Sequence, residues 1–193
     1  KNMSYGLTFY TGSYKNLREE IQNPSADFFK KLQDNWENLY DPDEGESLET
    51  ALREGLAELQ KAAAANTETK LGVKGEMALV GAIQSHGREL GTLEHSGSGG
   101  EEFREEFLGG VASEIFDFPK LAEFLTGRPF FGVRTLEYPS WGWLLHDEIL
   151  KFENNSPQTA NEYKKDFDEW LADLLGFIKK AKENGNDLMT VYR

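Results

Sequence analysis

Ser4-Tyr5-Gly6-Leu7-Thr8-Phe9-Tyr10 sets Tyr5, Leu7 and Phe9 in alternation with Gly6, Thr8 and Tyr10, and Gly12 ends the run. A period of two with β-favouring residues reads as a strand. Far away in the chain, Leu188 to Tyr192 reads as a closing strand. Before it, Phe167, Trp170, Leu171, Leu174 and Ile178 recur at helical spacing; Ser156 and Pro157 supply a start, with Tyr163 on the same stripe, and Gly185 a stop. Lys179, Lys180 and Lys182 complement the dipole at that helix's end.

The stretch between these ends is mostly helical in pattern. Two short helices follow the first strand, the second over about 26–39 with Phe28, Phe29, Leu32 and Trp36 on one side. Asp41 to Glu46 is an acidic turn, and Ser47 is the expected N-cap of a helix carrying Leu48, Leu52, Leu56 and Leu59 into the Ala62–Ala65 run. Residues 66–75 read as a polar linker, and 76–90 as a helix stopped by Gly91. Within it Gly81 and Gly87 each weaken the helix by roughly 1 kcal/mol relative to Ala, which marks close approach of a neighbour. Leu93 to Gly100 reads as a loop, and Phe103, Phe107, Val111 and Ile115 as the next helix. After a shorter helix, Pro119 to Leu125, the aromatic stretch 130–145 reads as one or two short strands. Strand, helices, strand, helix, strand predicts an α+β fold: a predominantly helical single domain, 1–193, with a small sheet formed by the N-terminal strand, a strand near 130–145 and the C-terminal strand.

Charge is the strongest compositional signal: 34 acidic against 21 basic residues, a net charge of −13. The excess is local. Residues 34–58 contain nine acidic residues and Arg53 alone of the bases; 94–117 contain seven and Arg104 alone. A field of that sign repels nucleic-acid phosphates and anionic membranes and attracts cationic proteins; a charge run is equally the mark of a solvated helix face. With no cysteine there is no thiol nucleophile, disulfide or Cys-ligated zinc. No apolar run approaches the ~20 residues of a membrane span, and no signal-peptide pattern opens the chain. A cytoplasmic protein is expected, with Met3 as the native start and Lys1 and Asn2 as a remnant before it.

Both ends and the middle of the chain resemble a known group. Met3-Ser4-Tyr5-Gly6-Leu7-Thr8-Phe9-Tyr10, Trp141-Gly142-Trp143-Leu144-Leu145-His146-Asp147-Glu148-Ile149 and the closing 177–188 segment are similar to the first strand, the Gly-aromatic-Leu signature and the last helix and turn of YfbM-like and related bacterial domains of unknown function. His95 to Leu108 looks like a motif of one related subgroup, distinct from the YfbM type. The resemblance implies an α+β fold and brings no catalytic residue; residues 41–75 have no counterpart in it.

The candidate site residues fall into three sets. His95, Ser96 and Ser98 lie in a glycine-rich turn before a helix, where backbone N–H groups favour an anion. Glu101 and Glu102 occupy that helix's first turn and oppose a phosphate; no Walker lysine follows, and Ser-Gly-Ser-Gly-Gly is not a hydrolase elbow. The turn is thus a capped structural turn or a binding loop. Tyr138, Trp141 and Trp143 are either partner anchors or core and turn material. Asp41, Asp43 and Glu44 head the acidic candidates, in a turn whose glycine is misplaced for a calcium loop. His86, His95 and His146 have no compact metal-ligand spacing. Neither a metal nor a cofactor is expected. The leading expectation is a non-enzymatic acidic binding module, such as an immunity-type protein neutralising a basic toxin or effector. The alternative is a small hydrolase-like enzyme with a pocket near His95, Ser98 and His146, which requires those side chains to converge.

Overall fold

The computed structural model describes residues 4–65, 67–134, 138–154 and 167–193. The chain is α+β: four strands, β1 (Ser4–Gly12), β2 (Arg88–Ser96), β3 (Ser140–Leu144) and β4 (Asp187–Tyr192), form one antiparallel sheet in the order β2-β1-β4-β3. The three expected strands are all present. β2 corrects the sequence reading: the helix expected to run to Leu90 ends earlier, and the first half of the expected loop, Leu93 to Ser96, is extended chain.

Alternation along the strands explains the layering. In β4, Leu188 and Tyr192 belong to one apolar cluster and Met189 and Val191 to the other, so successive side chains enter cores on opposite faces. Helices α1 (Tyr14–Gln22), α2 (Ala26–Trp36), α3 (Leu48–Ala65) and α4 (Val73–His86) cover the first face. The second is covered by a π-helical segment, Glu102–Ala112, running into α5 (Ser113–Phe116), and by α6 (Leu121–Thr126), α7 (His146–Ile149) and α8 (Asp168–Glu183). The expected Ser156 cap, Pro157 and Tyr163 lie outside the described residues, as do Lys1, Asn2 and Met3.

Local chemistry sets the boundaries. Ser13, Ser25 and Ser47 cap α1, α2 and α3 by accepting N–H groups three residues on. Part of the supposed linker is structured: Leu71 is buried, and Thr69 bridges to Val133. α4 stops at Gly87, whose N–H is taken by the Ile83 carbonyl at 2.8 Å. A side chain there would stand 2.8 Å from Tyr10 Cβ. Gly81 likewise lets Leu32 of α2 approach, 2.7 Å from where a Cβ would be. Gly91 belongs to β2, with φ +150° and the Phe177 ring 2.7 Å from a would-be Cβ, so it admits a ring and ends no helix. The helix after residue 100 also differs from expectation. Its i→i+5 turns are wider than an α-helix's, so Phe103, Phe107, Leu108 and Ala112 face the core while Val111 is half-buried.

The entry to β4 fastens both helical layers. Asp187 accepts the N–H of Tyr14 through Oδ2 and of His146 through Oδ1, both at 2.9 Å; these are the first residues of α1 and α7. Two orphan helix donors on opposite sides of the sheet thus share one carboxylate.

Two glycines test this packing in opposite directions. Gly142 in β3 abuts α6, where an added Cβ would meet the Phe124 carbonyl at 2.1 Å. Gly142→Ala is expected to cost about 1–3 kcal/mol or more. Gly176 lies within α8 with open space around it, and Gly176→Ala is expected to stabilise by about 0.5–1 kcal/mol. Thermal unfolding of the two variants checks both signs.

Candidate functional site

Two places stand out as candidate sites, one on each side of the sheet, and sequence-predicted residues gather at the first. The first is built at the end of β2. His95 pairs with Tyr5 across β1 and is 7% exposed. Its Nδ1 lies 2.7 Å from the Ser96 carbonyl, which can only accept, so in the neutral ring Nδ1 carries the proton. Nε2 then accepts from the Tyr192 hydroxyl at 2.6 Å. Tyr5 and Phe103 both stack with His95. Tyr138, 47% exposed, rests on Tyr192 and Tyr5. The Ser96 and Ser98 hydroxyls stand 3.4 Å apart in the adjoining turn. Burial foremost, then the neighbouring Tyr138, pushes the Tyr192 phenol well up, against a weaker opposite pull from Arg104. That shift favours a neutral phenol over a nucleophilic phenolate.

Four of the predicted residues, His95, Ser96, Ser98 and Tyr138, are therefore brought together. His146 is not among them. Its backbone N–H binds Asp187 at the start of β4, whereas His95 binds Tyr192 at the strand's other end. Those anchors are five positions apart along the strand, roughly 17 Å. His95, Ser98 and His146, which a hydrolase-like site would have to bring together, do not converge. Among the described residues no three of His, Asp and Glu converge to hold a metal ion.

The tryptophans are structural. Trp141 is 1% exposed, and its indole N–H donates to the Val133 carbonyl at 3.3 Å. Trp143 donates to the Pro129 carbonyl at 3.0 Å and stacks on Tyr14. The Arg128 guanidinium lies 3.5 Å from the Trp143 ring centre and 3.9 Å from that of Phe124, and forks onto Glu148. The Trp141 ring is thus buried in the core, and the half-buried Trp143 ring is engaged by Tyr14 and Arg128.

The acidic windows take opposite sides. Residues 34–58 belong to the α2–α3 layer, while 101–117, with exposed Glu101 and half-buried Glu102, belong to the layer across the sheet. The charge is not one continuous patch. On the α2–α3 side, Lys74 comes in from α4 to pair with Glu46 and, at 2.6 Å, with Glu54. Lys74 foremost, with help from the Tyr40 hydroxyl, holds the Glu46 carboxyl below its usual range. Glu58 accepts the Gly72 N–H at 2.6 Å. Asp41, Asp43 and Glu44 stay exposed on the intervening turn.

Beside that turn is the second site, which the sequence reading missed. Gln33, Trp36, Glu37, Leu48, Glu49 and Leu52 line a cleft of about 180 Å³ between α2 and α3. Trp36 is 1% exposed, and its indole N–H meets no acceptor among the described residues. The available signal was the pairing of an apolar with an acidic residue on each side of the turn, Trp36-Glu37 and Leu48-Glu49. A larger, open and polar hollow of about 570 Å³ lies among Asn16, Glu19, Glu20, Asn23 and His86. Comparison with protein-family models, curated proteins and solved structures finds no match.

Two substitutions separate structural from surface roles. Tyr192→Phe leaves His95 Nε2 buried without a donor and is expected to cost about 1–3 kcal/mol, whereas exposed Tyr138→Phe stays within about 0.5 kcal/mol; chemical denaturation compares them. Burial foremost depresses His86, against a hydrogen bond with Ser13 and the charge of Glu20. A depressed histidine binds its proton more readily when unfolded, so its contribution is whole above an ordinary value of 6.5 and is lost as pH falls through the lower folded value. Stability measured downward from that pH should decline less steeply in His86→Gln than in the parent.

Proposed function

We propose that this protein is a binding module that takes a basic protein partner on the acidic edge formed by the end of α2, the 37–47 turn and the start of α3. The observation that supports it is the coincidence, at one place, of exposed Asp41, Asp43 and Glu44 with a cleft whose rim is Glu37 and Glu49 and whose apolar wall is Trp36, Leu48 and Leu52. Charge accelerates and orients the encounter, and a small apolar depression supplies a place for lasting contact. The far-side acidic residues contribute to the overall field without sharing the surface. Neutralising a basic toxin or effector is the kind of task such a surface suits, since it requires affinity and no chemistry.

Titration of the isotopically labelled protein with a lysine- and arginine-rich peptide at low salt tests the proposal. Amide shifts are expected to concentrate over 33–52 and to fade with added salt as the Debye length shrinks. The combined variant Asp41→Asn, Asp43→Asn, Glu44→Gln should weaken binding about tenfold, chiefly through a slower on-rate. Shifts centred on 101–106, or no binding at low salt, would reject this face.

A further inference from the structure

The cleft is too small for most metabolites. Small-molecule sites commonly enclose about 300–1,000 Å³, and this one encloses about 180 Å³. A space of that size suits one inserted side chain. Its lining restricts which one: carboxylates of Glu37 and Glu49, a carboxamide from Gln33, and apolar surface from Leu48, Leu52 and Trp36. An occupant therefore needs an apolar stem and a cationic head.

Two further observations narrow the choice. Arg53 already lies against Glu49, its Nε and Nη2 at 3.1 and 2.8 Å from Oε1, and its guanidinium sits 5.4 Å from the centre of the Phe29 ring. Glu49, a lining residue, thus already holds a guanidinium through two N–H groups while that guanidinium lies over an aromatic ring, a combination an ammonium does not reproduce. That resident pair is about 62% exposed on both sides, so rearranging it costs little. Separately, Trp36 combines near-complete burial with an indole donor lacking an acceptor. Indole N–H groups are normally paired when buried, so a carbonyl arriving with the partner would satisfy an existing deficit. The other titratable groups nearby do not compete: Glu46 and Glu54 are held by Lys74.

We infer that the cleft seats a single arginine of the partner, with its guanidinium between Glu37 and Glu49, its stem on Leu48 and Leu52, and an adjacent main-chain carbonyl accepting from Trp36. This rests on the acidic-edge reading above and specifies its anchor.

The test uses the full chain and three peptides of otherwise identical lysine-rich sequence, whose central residue is arginine, lysine or citrulline. Calorimetry gives affinity, and the indole N–H resonance of Trp36, assigned by its loss in Trp36→Phe, reports the donor in the parent protein. The arginine peptide should bind about tenfold more tightly than the lysine peptide and still more tightly than the citrulline peptide, the range of a lost charged hydrogen bond. The Trp36 resonance should move on binding. Glu37→Gln, at the cleft's rim, should reduce the arginine preference. Equal affinity for arginine and lysine peptides, with shifts still over 33–52, would overturn the anchor and leave the acidic edge standing. An unmoved Trp36 indole on tight binding would overturn the carbonyl contact. Failure of all three peptides to bind would remove both the anchor and the edge.

Discussion

β4 can occupy the middle of the sheet only because both of its faces are covered. Leu188, Met189, Thr190, Val191 and Tyr192 are all buried, two facing one helical layer and three the other. A strand in that position has no solvent face on which to place polar residues, and both of its hydroxyls are satisfied, Thr190 by the Leu125 carbonyl and Tyr192 by His95 Nε2, each at 2.6 Å. Asp187 then ties the strand's first residue to helix starts on both sides. The positions of the His95–Tyr192 pair, Trp143 and the α2–α3 cleft all follow from this three-layer arrangement.

How much of this was legible varied with the physics involved. β1 and β4 announce themselves through alternation and β-branched or aromatic residues. β2 does not. Leu90 falls two helical turns after Ile83, which extends the apparent helix, while only Leu93 and His95 of the strand are buried among glycine, serine and charge. What makes it a strand is pairing with β1, a distant partner that no local window contains. The helix after residue 100 shows the same limit. Its phenylalanines were read correctly as core, but the wider turn brings Leu108 and Ala112 inward in place of Val111. The Ser113 hydroxyl takes the Leu108 carbonyl five residues back, at 2.7 Å, in keeping with that spacing.

The site residues divide along the same line. That His95, Ser96 and Ser98 form one local unit could be read from their adjacency; that Tyr138 and Tyr192 complete it could not, because both are distant in sequence and β1 lies between β2 and β4 in the sheet. Counting charge along the chain identified two acidic windows correctly and could not say that a sheet stands between them. Trp36 and Leu48 read only as members of two apolar stripes. Their meeting at a surface depression depends on the angle at which α2 and α3 approach, which is a property of packing.

The sheet also has two margins, and each is guarded differently. β3 offers only five residues, with Trp143 tied to Pro129 and Arg128 reaching the Trp143 carbonyl at 3.1 Å. β2 is longer, but it begins with Arg88 and Glu89, its register against β1 shifts between Phe9 and Tyr10, and its Glu94 carbonyl accepts the Trp170 indole at 2.9 Å. Short length, charge, a bulge and a side chain laid over a main-chain acceptor are the recognised defences against strand-to-strand polymerisation. The sheet can therefore keep two margins at the surface without its β-structure recruiting further copies of the chain.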